Sequence, residues 1–105
     1  MRLTAVAATL AASLLLASSA FGADKVKVGF VSTLSGPGAG LGVDIRDGFN
    51  LAMKHLNGKL GNLPAEVIIA DDQQKPDVAK AETEKFLKKD KVDFMTGIVF
   101  SNIML

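Results

Sequence analysis

Ser101 and Asn102 are the residues best placed by type and position to do chemistry. They follow Val92 to Ile98, an apolar run that reads as a strand. A hydroxyl beside backbone N–H groups at such a strand end can hold a carboxylate without any cationic side chain. The same two residues can cap a helix that begins there, and the two roles are compatible. Upstream, the segment from Ser32 to Gly42 carries Gly36, Pro37, Gly38, Gly40 and Gly42. It reads as a permissive loop whose backbone amides can approach a bound group closely, or as a plain flexible connection. A dinucleotide fingerprint starting at Gly36, Gly38 or Gly40 needs a third glycine where Leu41, Val43 and Ile45 stand, and no Gly-Lys-Ser or Gly-Lys-Thr follows. Nucleotide binding by either motif is therefore excluded.

The remaining candidates are weaker. Asp71 and Asp72 are adjacent at a predicted strand end, with no histidine or glutamate near them in sequence. Neighbours there point in different directions, so the pair reads as turn-forming and as a cap for the helix that follows. His55 is the sole histidine and falls on the polar flank of a predicted helix, a solvated position. There is no cysteine, hence no thiolate metal site, thiol nucleophile or disulfide. No nucleophile–base pair or metal cluster emerges, so the expectation is a protein that is not an enzyme and needs no cofactor or metal.

The elements that must position Ser101 follow from periodicity. Val26 to Val31 is rich in β-branched and aromatic residues and reads as strand one. From Asp44 the period changes, and Ile45, Phe49, Ala52, Met53 and Leu56 form one helical stripe that stops at Asn57-Gly58 and Gly61. Ala65 to Ala70 is a continuous apolar run suited to a strand covered on both faces. Pro76 opens a second helix with Ala79, Thr83, Phe86 and Leu87 inward, and with Glu84 and Lys88 spaced for an exposed pair. Val92 to Ile98 is strand three. Strand, helix, strand, helix, strand predicts an α/β fold: a three-layer βαβαβ unit with a parallel sheet of order 2-1-3 and a helix on each face. In such sheets ligands gather outside the carboxyl ends of the strands at the switch in strand order. Here that crevice is bounded by residues 32–42 and 99–102.

Ahead of these elements, Met1-Arg2 is followed by an apolar run from Leu3 to Ala17 and by small residues at Ser18, Ser19 and Ala20. Charge, apolar stretch and small residues in that order describe a signal peptide over residues 1–22, with cleavage after Ala20 or after Gly22. The run is shorter than the roughly 20 apolar residues of a spanning helix. The expected product, residues 23–105, is exported and soluble. Its net charge of +1, from 12 basic and 11 acidic residues, gives no reason to expect nucleic acid or an anionic membrane as partner.

Val26-Lys27-Val28-Gly29-Phe30, Leu34-Ser35-Gly36-Pro37, the segment from Gly42 to Asn57 and Asp71-Asp72, in this order and spacing, resemble the type I periplasmic solute-binding proteins. The branched-chain amino-acid branch of ABC importers is the nearest likeness. The resemblance implies the first part of lobe one of a two-lobed fold whose lobes close on a small ligand. It implies that Ser101 binds the ligand carboxylate, with Val99, Phe100 and Asn102 beside it and Leu41 where some amino-acid binders place a tyrosine. Some members bridge the positions of Gln74 and Phe100 by a disulfide, which cannot form here. An apolar Leu41 and an aromatic Phe100 suit an amino acid or an aromatic carboxylate. The implied function is the periplasmic substrate-binding component of an ABC importer, with a membrane permease as partner; the alternative is an exported ligand-sensing receptor module of the same fold. As family members are several times longer, these residues alone are expected to form an incomplete lobe that binds weakly or not at all.

Overall fold

The computed structural model describes residues 24–104. The signal peptide expected over residues 1–22 lies outside the described residues.

Strand β1 (Val26–Ser32) leads into helix α1 (Ala39–His55), a short strand β2 (Lys59–Leu60), strand β3 (Leu63–Asp71), helix α2 (Pro76–Lys85), strand β4 (Phe94–Gly97) and the single turn α3 (Ser101–Met104). The sheet order is β2-β3-β1-β4. β1 pairs in parallel with β3, Val28 opposite Val67, and with β4, Val28 opposite Phe94. The expected 2-1-3 arrangement is thus present, extended at one edge by the two-residue β2, which turns back antiparallel onto Pro64 and Leu63.

Successive residues of a strand point to opposite faces, and β1 shows which helix covers which. The Phe30 ring meets Phe49 of α1 at a centroid distance of 4.7 Å. Its neighbour Gly29 faces the other way, against Phe86, where an added Cβ would fall 2.6 Å from the ring. The core on that second face gathers Val31, Ala70 and the fully buried Phe86, with Ile68, Val92, Met95 and Ile98 packed around them.

Three sequence expectations shift. α1 begins at Ala39, not Asp44, so Gly40, Leu41 and Gly42 belong to its first turn. Of the stripe assigned to its inner side, Phe49 and Met53 are half-buried, whereas Ile45, Ala52 and Leu56 are exposed. Gly42, the buried residue of the helix, seats its N-terminal end against the end of β1. The helix stop is as read: Asn57 takes a left-handed φ of 54°, its N–H bonds the Lys54 carbonyl, and the Gly58 N–H bonds the Met53 carbonyl, a Schellman closure. Finally, α2 widens into a π turn over Phe86–Asp90. Its extra residue rotates the chain after Phe86, so Leu87, expected inside, is 56% exposed. The exposed pair of Glu84 and Lys88 forms as spaced, at 3.5 Å.

Candidate functional site

Because β1, β3 and β4 run in parallel, their three exits share one rim of the sheet. The connection after β1 is residues 33–38, shorter than the expected 32–42. Its course is fixed by the exit of β3. Asp71 accepts hydrogen bonds from the Leu34 N–H at 2.8 Å and the Ser35 hydroxyl at 2.6 Å, and also from the Gln73 N–H. Asp72 is fully buried; its Oδ1 accepts from the Thr33 hydroxyl at 2.7 Å and from the Gln74 N–H at 2.8 Å, while its Oδ2 has no hydrogen-bond partner among the described residues. The adjacent aspartates do form the turn before α2, as read. They do not cap it: the N-cap of α2 is Lys75 and carries no side-chain cap bond. Their larger part, tying the β1 exit to the β3 exit, was hidden from the sequence because the partners lie 36 to 39 residues upstream.

Burial alone would raise the Asp71 carboxyl, but the hydrogen bonds from Ser35, Gln73 and Leu34 favour the charged form and together hold it below the usual carboxylate range. The other anchor of this rim is the start of α1. The Ser32 hydroxyl donates to the Gly42 carbonyl at 3.0 Å, and a Cβ at Gly42 would lie 1.7 Å from the Thr33 carbonyl oxygen. Glycine at 42 lets the helix sit directly on the end of β1.

The second side of the crevice is the exit of β4. Gly97 and Ile98 both take positive φ, at 108° and 63°. The chain then passes through Val99 and Phe100 to α3. The Phe100 ring lies against Gly38, where an added Cβ would be 2.5 Å from Cε2 and Cζ. Gln74 accepts the Gly38 N–H at 3.0 Å on the same spot. Gly38, Gln74 and Phe100 therefore join all three exits. Sequence reading missed Gly38 and Gln74 as a contact pair; its signals were the glycine content of the loop and the family bridge between the positions of Gln74 and Phe100.

The expected site residues fall on this rim as follows. Val99 and Phe100 are half-buried, Ser101 and Asn102 are exposed in the single turn α3, and Leu41 is 59% exposed in the first turn of α1. Ile98, Val99, Phe100, Ser101 and Met104 line an open depression of about 310 Å³. Leu41 and Asn102 do not line it. The depression carries no acidic or basic side chain and no acid–base pair. What it can do is hold an apolar body with a hydroxyl donor at its border. His55, at the end of α1, is exposed and away from it.

The model of the periplasmic binding protein family matches residues 25–105. The chain belongs to that family. Among curated relatives of this periplasmic binding protein, the Leu/Ile/Val-binding protein homolog 6 of Brucella abortus (strain 2308) is 34% identical over 91% of this chain and 25% of its own length. Among solved structures, an ABC transporter substrate-binding protein from Sphaerobacter thermophilus superposes with a TM-score of 0.72 at 32% identity, over 75% of this chain and 21% of that one. A solute-binding protein of an ABC transporter from R. palustris, in complex with benzoate, gives a TM-score of 0.71 at 32% identity, over 76% of this chain and 22% of that one. The chain thus spans about a quarter of the length of the curated relatives it matches. Among the described residues no helix is long and apolar enough to cross a membrane.

Proposed function

We propose that this chain contributes the first lobe's share of a substrate-binding component that captures a small carboxylate in the periplasm for an ABC importer, and that it is not an enzyme. The observation that supports the reading is the contact of the Phe100 ring with Gly38, which brings the exits of β1 and β4 together at the rim where open parallel sheets bind ligands. In this reading the Ser101 hydroxyl donates to the ligand carboxylate and Asn102 adds a polar group beside it. Val99 and Phe100, which line the depression, contact the ligand's apolar body, and Leu41, exposed in the first turn of α1 outside it, is an outer apolar contact. Residues 1–22 direct export and are removed, and the partner of the exported product is a membrane permease.

The two kinds of relative, a Leu/Ile/Val-binding homologue and a benzoate complex, support a carboxylate attached to an apolar group and leave aliphatic amino acid and aromatic acid as the two candidates. The test is a titration of isotope-labelled chain, followed by amide chemical shifts, with leucine, with benzoate and with uncharged benzamide. Weak but saturable shifts confined to the segments 33–41 and 98–103 are expected with at least one carboxylate and not with benzamide. Ser101→Ala should weaken that response about tenfold or more, the scale of one hydrogen bond to a charged group. An equal response to benzamide, or an unaltered response in Ser101→Ala, would remove the assignment.

A further inference from the structure

Six non-glycine residues among those described adopt positive φ: Asn57, Asn62, Gln73, Gln74, Lys91 and Ile98. Five are polar and unbranched at Cβ, and asparagine tolerates this conformation well. Ile98 alone is β-branched, and for such a side chain the left-handed region is a strained choice. Strain of this kind persists only where the surroundings over-determine it. At Ile98 two constraints do so. Its N–H donates to the Val31 carbonyl at 2.7 Å, continuing the pairing of β4 with β1, and its side chain packs on the cluster of Val31, Ala70 and Phe86. The residue before it is just as constrained: a Cβ at Gly97 would fall 2.0 Å from the same Val31 oxygen, so the chain must pass there without a side chain.

The consequence is directional. Without the paired positive φ values, β4 would continue along the sheet edge. With them, the chain turns away from that edge after Ile98, and Phe100 reaches the exit of β1, where its ring seats on Gly38. We infer that Ile98 is a positioning residue: its core-anchored side chain holds the Gly97–Ile98 turn in a strained form that aims the 99–102 segment across the cleft. This rests on the proposed role of that cleft for its functional meaning, but the geometric statement stands by itself.

The experiment compares the full chain with Ile98→Gly, which frees the backbone and removes the anchor, and with Ile68→Ala, which truncates a side chain of the same cluster away from the turn. Two readouts are taken at a temperature where each variant is folded. The first is the nuclear Overhauser contact between the Phe100 ring and the Gly38 α-protons. The second is the benzoate-induced shift of the Ser101 amide. Ile98→Gly should lose the Phe100–Gly38 contact, whereas Ile68→Ala should lower the melting temperature and keep it. Where the parent chain responds to benzoate, that response should fall with the contact. Retention of the contact in Ile98→Gly, or its equal loss in Ile68→Ala, overturns the inference. A parent chain that shows the contact but no response to any carboxylate refutes the cleft's proposed ligand, and the contact still decides the role of Ile98.

Discussion

At the scale of single residues, Asp71 and Asp72 divide one task. Asp71 holds the backbone and hydroxyl of the segment at 34–35, and Asp72 holds the hydroxyl of Thr33 from within the core. The bonds to Asp71 require its charge, which gives a pH dependence of definite sign. Its folded pKa lies below the unfolded value of about 3.9, so its stabilisation is complete above that value and is lost as pH falls through the folded one. In melting curves taken from about pH 6 down to about pH 2, the parent chain should lose more stability in acid than Asp71→Asn, and the two should converge at the acid end. Parallel curves would show that the carboxylate is not the holding charge. The pair of Lys25 and Glu66, at 2.6 Å on the surface, is present in both proteins and cancels from the comparison. Asp72→Ala leaves the buried Thr33 hydroxyl without its acceptor and should destabilise by about 1–3 kcal/mol in chemical denaturation. The sequence announced these residues as turn formers because the turn is local. Their grip on residues 33–35 depends on the pairing of β1 with β3, which no local pattern reports.

At the scale of elements, the parallel strands and their order were legible because β-branched runs alternate with helical periods and because crossovers of one hand leave few topologies. The start of α1 was not. Gly36, Gly38, Gly40 and Gly42 read as loop, since glycine weakens a helix, yet the helix begins at Ala39. Tertiary contact overrides propensity here: Gly42 lets α1 meet the Thr33 carbonyl, and the Ser32 hydroxyl completes the joint. A Gly42→Ala chain therefore gains helix propensity and loses the joint. The clash, with backbone atoms that cannot swing aside, should dominate and cost about 1–3 kcal/mol or more. Gly40→Ala, with open space around the added methyl, is the matched control and should be neutral or stabilising. Denaturant midpoints of the two variants falling together would mean that α1 does not rest on Thr33. The same limit explains Leu87 and the candidate site. The sequence located Val99 to Asn102 at a strand exit, but neither the π turn nor the left-handed Ile98 has a signature in a single chain.

At the scale of the whole molecule, the two edges of the sheet are treated differently. Beyond β3 the edge is covered at its start by the two residues of β2, with Lys59 opposite Pro64 and the Lys25–Glu66 pair nearby, features that discourage strand addition there. The β4 edge has none of these. It presents Phe94-Met95-Thr96-Gly97 with Phe94 48% exposed, beside an open hollow of about 460 Å³ lined by Met95, Thr96, Gly97, Ile98, Ile103 and Met104 among others. Phe94–Gly97 carries no charge and, among the described residues, its outer side is unpaired; such an edge is a template for another strand, so the isolated chain should associate through β4. Phe94→Lys places a charge on that edge at a half-exposed position, where a substitution costs within about 0.5 kcal/mol of folding stability. Sedimentation velocity over a concentration series should show the parent chain growing in mass with concentration and Phe94→Lys remaining monomeric at an unchanged melting temperature. A parent chain that stays monomeric throughout, or a Phe94→Lys chain that associates equally, would mean that the exposed side of β4 is not adhesive and that contacts elsewhere, such as the exposed Leu51 and Leu56 of α1, govern its behaviour.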